Sequence, residues 1–192
     1  MTAITTQKRD YTPEEYLELE AQAEYKSEYL DGEIIPMAGG TTNHNKIAGN
    51  FYRHFPLTIA GQNYDIYIGD VRLWIPEYGY YTYPDIMIIK GEPIYEGKGT
   101  TTITNPLVIV EVLSKSTQEI DRTAKFRYYR SLPTFQEYIL VDQYSYYAEQ
   151  YVKQKDGQWL LRDYQGKDSR LAFANLEFGI SFFDLYQRVK FA

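Results

Sequence analysis

A chain of 192 residues, 44% of them hydrophobic and 24% charged, is long enough for one domain with a sizeable core. It has no cysteine, which excludes disulfides and thiolate metal sites, and no apolar run of membrane-spanning length. The net charge of −6 opposes the basic footprint of nonspecific nucleic-acid binding. The start, Met1 to Thr6, lacks an apolar signal region, so the expectation is a cytoplasmic protein.

The charge is unevenly spread. Residues 10–33 hold nine acids and one lysine, a net of −8, whereas residues 34–192 balance 17 acids against 17 bases. Within residues 115–130, Lys115, Arg122, Lys125, Arg127 and Arg130 face only Glu119 and Asp121, which allows a local basic face. Tyrosine is the outlier, at 21 residues. It fits half-exposed strand positions or a self-association surface on one reading, and base stacking on another.

In chain order, a first helix is signed from Thr12 to about Ala23, with Thr12 as cap, Pro13 at the first helical position and Glu15 completing a capping box. Tyr25 to Leu30, an Asp31-Gly32 turn and Glu33 to Met37 read as a hairpin. After Gly39-Gly40 a second helix runs from Asn43 to Phe55, with Ile47, Phe51 and Phe55 at helical spacing. Strands are expected at 64–68, 71–75, 84–89 and 107–113, with a surface loop from Gly91 to Pro106.

Ser116 and Glu119 form a second capping box, opening a helix to about Ser131 with Ile120, Ala124 and Tyr128 as its buried stripe. Pro133 stops it, and Tyr138 to Val141 is the next strand. A meander (146–152, 159–164) and a short helix over 182–188 close the chain, which shows no repeat or linker. Strand, capped helix and strand over 107–142 make a βαβ unit with parallel neighbours, in a core order α-β-β-β-α-β. The expectation is a single α/β domain over residues 1–192 with a mixed sheet flanked by helices.

Two acids stand out. Glu111 interrupts the apolar run Pro106 to Leu113, and Asp85 interrupts Tyr83 to Ile89. A carboxylate in such a run carries a desolvation cost of several kcal/mol, roughly, unless a cation or donor meets it. Strand alternation puts Asp85 with Met87 and Ile89, and Glu111 with Leu107, Ile109 and Leu113. If the strands are neighbours the carboxylates converge, and such oxygen ligands suit Mg²⁺ or Mn²⁺. A salt bridge or backbone-amide partner inside the sheet is the plainer alternative.

Pro84-Asp85 and Glu111, followed by a capped helix and strand, resemble the PD-(D/E)XK nuclease superfamily. More closely, Tyr29-Leu30-Asp31-Gly32-Glu33-Ile34-Ile35, then His44, Tyr83-Pro84-Asp85, Glu111-Val112-Leu113-Ser114 with Ser116-Thr117, and Tyr138 to Asp142 resemble the Uma2 family, also called DUF820 and abundant in cyanobacteria. The resemblance runs from about Tyr11 to Ile180. It implies a restriction endonuclease-like core with an N-terminal helix and hairpin, and Asp85 and Glu111 as ligands of Mg²⁺ or Mn²⁺. It further implies an endonuclease hydrolysing phosphodiester bonds in DNA, for which a homodimer would present two sites. The other class of reading is a nuclease fold kept as a binding or assembly module.

The superfamily pattern places lysine two residues after the second acid, where this chain has Leu113. Lys125, in the following helix, is the substitute, either positioning or deprotonating the attacking water or simply pairing with Asp121 at i,i+4. Glu28 is the third acid that the resemblance implies, with Glu33 as alternative. His44 either faces the metal site or bonds its helix terminus. His54 reads as structural and Asp70 as a turn residue. Lys115 and Arg122 either contact phosphate or are merely exposed.

Overall fold

The computed structural model describes residues 10–191; the opening segment Met1 to Thr6 lies outside them. Helix α1 (Pro13–Glu20) starts as its capping box dictates: Thr12 Oγ1 accepts from the Glu15 amide at 3.2 Å, and the Glu15 carboxylate accepts from the Thr12 amide at 2.9 Å. It stops at Glu20 rather than Ala23. The Glu20 carboxylate instead accepts from the Ser27 amide at 3.0 Å and the Tyr83 hydroxyl at 2.8 Å, tying the helix end to the hairpin and the sheet. Thr12→Ala is expected to cost about 1 kcal/mol, seen as a lower urea midpoint at unchanged slope.

The strands are β1 (Ser27–Leu30), β2 (Glu33–Pro36), β3 (Thr58–Ile59), β4 (Gln62–Ile68), β5 (Arg72–Ile75), β6 (Tyr80–Thr82), β7 (Ile86–Lys90), β8 (Thr102–Ile103), β9 (Val108–Leu113), β10 (Glu137–Asp142), β11 (Tyr147–Lys153), β12 (Trp159–Gln165), β13 (Arg170–Ala172) and β14 (Gly179–Ser181). The hairpin turn sits at Asp31 (φ 44°) and Gly32 (φ 94°), both left-handed, as a tight two-residue turn requires. The main sheet has the order β12-β11-β10-β9-β7-β4-β3. A second sheet, β2-β1-β6-β5-β8, stands beside it.

The αβββαβ order holds, with one substitution of strands. Helix α2 (Thr42–His54) is followed by β4, β7 and β9, then the helical segment 118–129, then β10. β9 and β10 are parallel, as the βαβ unit requires. The strand expected at 71–75 forms as β5 but leaves for the second sheet, pairing with β6 and β8. Alternating burial says that a strand is half-covered, not which sheet covers it. β3, β6, β8, β13 and β14 escape the sequence reading because each is only two or three residues long. The closing helix is one turn, Phe182–Leu185, rather than 182–188.

Alternation divides the interior into two cores. Ile86, Ile88, Val108, Val110 and Val112 face α2 and the C-terminal segment, with Ile47, Phe51 and Phe182. Met87, Ile89, Ile109 and Leu113 face the 118–129 segment and the second sheet, with Leu73, Tyr80, Tyr129 and Tyr138. Glu111 falls between Ile109 and Leu113 in alternation, and so belongs to the second face; Leu107, one residue ahead of β9, packs with the first.

Many tyrosines are buried rather than half-exposed. Tyr16, Tyr29 and Tyr81 stack in a third cluster between α1 and the second sheet, with the Tyr16 hydroxyl donating to Ser27 O at 2.6 Å. Among the described residues, no helix is long and apolar enough to cross a membrane.

Candidate active site

Asp85 stands just before β7 rather than within it. Pro84 has no N–H to give a ladder, and the Asp85 amide is spent on Glu111 Oε2 at 3.1 Å. Since β7 and β9 run antiparallel with Ile86 opposite Val110, one further step sets Asp85 opposite Glu111 on the same face. The Val112 amide returns a bond to Asp85 Oδ2 at 2.7 Å. Each acid is thus clasped by a main-chain amide of the other's segment.

Glu111 is almost fully buried, and its charge is met from the 118–129 segment. Lys125 Nζ lies 3.3 Å from Glu111 Oε1, and the Tyr129 hydroxyl donates to the same oxygen at 2.7 Å. The ammonium also lies 3.3 Å from Asp121 Oδ1 and 3.6 Å from Glu28 Oε1. Glu28, on β1, accepts from the Tyr80 hydroxyl at 2.8 Å and from the Thr82 hydroxyl. One buried cation therefore serves three carboxylates. Asp121 Oδ1 is buried, and the Lys125 ammonium at 3.3 Å is the group that meets it.

The helical segment owes this arrangement to an irregularity. An α turn (Gln118–Ile120) and a second (Phe126–Tyr129) flank a π turn, Asp121–Lys125. On a 3.6-residue helix, positions four apart drift by about 40°; a π turn holds more residues and reduces that drift. Asp121, Lys125 and Tyr129 are thereby kept on one side. Of the expected stripe, Tyr128 is buried and Ala124 packs against the core, but Ile120 is 40% exposed, and Asp121 and Lys125 are buried beside them. Nor does Ser116 cap this segment; its hydroxyl bonds Ser114 Oγ, and Thr117 precedes the first turn without a side-chain cap.

Burial pushes the Glu111 carboxyl up to about 8; Lys125 counters, while Asp85 and Asp121 add to the rise. Asp121 is raised for the same reason, again against Lys125. Burial works against charge on Lys125, but Glu111, Glu28, Tyr80 and Asp121 outweigh it and hold the ammonium well above the ordinary lysine value. A lysine so held keeps its proton at neutral pH.

His44, in the first turn of α2, places Nε2 3.0 Å from Asp85 Oδ2. Burial would depress the imidazole, yet bonding to Asp85 and the charges of Asp85 and Glu111 raise it. Glu28, rather than the exposed Glu33, is the hairpin acid that reaches Lys125. Arg122 is engaged by Glu149 at 2.9 Å, which removes it as a free phosphate contact. Lys115 lies over the Tyr144 ring at 5.7 Å. Asp70 binds Lys26 at 2.6 Å beside Gly69, and His54 meets its neighbour Arg53 at 3.0 Å. Sequence reasoning missed Tyr80, Thr82 and Tyr129. The spacing Asp121, Lys125, Tyr129 was the one available signal.

Among the described residues, no group of three or more His, Asp or Glu side chains is placed to hold a metal ion. Mg²⁺ and Mn²⁺ do not require one: Mg²⁺ keeps several waters and takes one or two carboxylates plus substrate oxygens. Asp85, partly open to solvent with both its bonds on Oδ2, and Glu111 beside it supply that kind of donor set. These oxygens are of the kind such an ion takes, with Asp85 the open one and both Glu111 oxygens already bonded internally.

The family Uma2, described as "Putative restriction endonuclease", matches residues 13–183. The chain belongs to the Uma2 family. Two relatives from Synechocystis sp., both named only as uncharacterized proteins, sll1609 and slr1290, are 45% identical over 163 residues (85% of this chain and 92% of the relative) and 38% identical over 171 residues (89% and 87%). A crystal structure from Anabaena variabilis, described as a "putative nuclease belonging to DUF820", superposes with a TM-score of 0.71 over 94% of this chain and 99% of that one. At 20% identity that likeness is one of fold. Uma2 membership carries nuclease character at the level of the family.

Proposed function

We propose that this Uma2 chain is a Mg²⁺- or Mn²⁺-dependent endonuclease that hydrolyses phosphodiester bonds in DNA, with Asp85, Glu111, Lys125 and Glu28 as its working residues. The observation that carries the reading is the clasp of Asp85 on Glu111 with the Lys125 ammonium against it. A divalent ion held by Asp85 and Glu111 would supply an activated water and a counter-charge for the phosphoryl group. Lys125 keeps its proton, so it positions the water and offsets developing negative charge rather than abstracting a proton. Glu28, fixed by Tyr80 and Thr82, holds the ammonium in place. Tyr129 steadies Glu111, and His44 steadies Asp85. A two-fold dimer would bring one such site to each strand of a duplex.

Cleavage of labelled duplex DNA and thermal melting, each with Mg²⁺, Mn²⁺ or EDTA, test the proposal. The ion is expected to raise the melting temperature and to switch cleavage on, and Asp85→Asn to lose both effects. Cleavage retained by an Asp85→Ala, Glu111→Ala double variant dismisses it. One observation favours a second reading, a nuclease fold kept as a binding or assembly module: Glu111 is already met by internal partners. A protein stabilised by Mg²⁺ that never cuts would be that module.

A further inference from the structure

The side of α2 away from His44 is built differently from the acid cluster. Lys46 follows His44 by two positions, about 200° around the helix, and Asn50 and Arg53 continue its stripe at i+4 and i+7. These three, with Gln187 and Arg188, wall a cavity of about 500 Å³. Three of its five lining residues are cations and none is an acid. Among the described residues, none of the three cations is paired with a carboxylate. For a chain of net charge −6, that is a concentrated exception. A larger cavity, of about 800 Å³, contains Arg170 together with Glu177 and shows no such bias.

The walls are fixed. Asn50 Nδ2 donates to Leu185 O at 3.1 Å and Gln187 O at 2.9 Å, Lys46 Nζ to Arg188 O at 3.0 Å, and Arg53 Nη2 to Gln187 Oε1 at 2.7 Å. Arg188 holds φ at 61°, a left-handed backbone that costs a side-chain-bearing residue some strain. Each cation keeps donors to spare, since lysine has three and arginine five. What the chemistry lacks is an anion with several oxygens.

We propose that Lys46, Arg53 and Arg188 form a phosphoryl-binding site on the far side of α2 from the acid pair. Its ligand is a phosphate group, carried either by a DNA backbone or by a free phosphate or nucleotide. The DNA source rests on the nuclease reading.

The test compares the wild-type protein with Arg53→Gln, Arg188→Gly. Glycine suits the left-handed backbone at position 188, so folding is expected to survive; Lys46→Gln is the second variant. Two readouts are taken in EDTA, where no cleavage occurs: melting temperature with inorganic phosphate, and anisotropy of a labelled duplex across salt concentrations. Phosphate is expected to raise the wild-type melting temperature and not that of the variants. The double variant is expected to bind duplex about tenfold more weakly, with a salt slope reduced by about 1 to 2, while its Mg²⁺-dependent melting shift stays intact. Phosphate stabilisation that depends on Arg53 and Arg188, without duplex binding by the wild type, upholds the site with a free ligand and removes DNA from the nuclease reading. Variants that match the wild type in both readouts, or a wild type that responds to neither probe, overturn it.

Discussion

Glu111→Gln is expected to lower Mg²⁺-dependent cleavage by about 10³-fold or more, the scale of losing one preorganised electrostatic element. It should also flatten the pH dependence of the metal-free protein's stability. Burial lifts the folded-state Glu111 from its ordinary 4.5 to about 8, so the folded protein holds this proton more tightly than the unfolded chain does. The stability this contributes is complete below about pH 4.5 and lost as pH rises through about 8. Asp121 and His44 are raised as well and act in the same direction, the histidine above its ordinary 6.5. The metal-free wild type should therefore melt at progressively lower temperature between pH 5 and pH 9, roughly, and a bound divalent ion should relieve much of that loss. With glutamine at 111 the largest share of the slope disappears. Melting curves in EDTA across this range decide the matter: a Gln variant with the wild-type slope would mean that Glu111 ionises freely.

Lys125→Met is expected to cost about 3–5 kcal/mol at pH 8, since removing one partner of a buried pair leaves uncompensated charge behind. Here the stranded groups are Glu111, Asp121 and Glu28. At pH 5 the cost should shrink, because Glu111 and Asp121 take up protons readily. Adding Glu111→Gln should restore part of the loss, the non-additivity expected of residues in contact. Urea unfolding at the two pH values measures all three quantities. A cost below about 1 kcal/mol at pH 8 would place Lys125 in the range of exposed ion pairs.

Where local chemistry decides, the sequence was legible. Thr12 and Glu15 make a capping box wherever the helix lies, and Asp31-Gly32 makes a two-residue turn for its own conformational reasons. Glu111 in an apolar strand declared a partner, and the parallel β9–β10 pair followed from chain geometry. What failed depended on partners distant in sequence. Val71 to Ile75 looks alike in either sheet. Ser116 could cap a helix, but its hydroxyl found Ser114 first. The inward face of 118–129 was read from its apolar residues; Tyr128 is buried as read, but Asp121 and Lys125 are buried as well and Ile120 is not, because the two charges neutralise each other and reach Glu111 or its neighbours. Pairing of this kind leaves no mark on hydropathy.

The π turn decides where the site can bear a change in chain length. Thr123 lies within it, exposed, its hydroxyl bonded to Glu119 O at 2.7 Å. A π turn exceeds an α turn by one residue, so deleting that threonine lets the segment close as regular α-helix with all that follows turned by only a few tens of degrees, roughly. Asp121 and Lys125 would then stand three apart rather than four, still on one side. The loss of one residue is absorbed here, whereas the same loss from Phe126–Tyr129 would turn the phenol by about 100°.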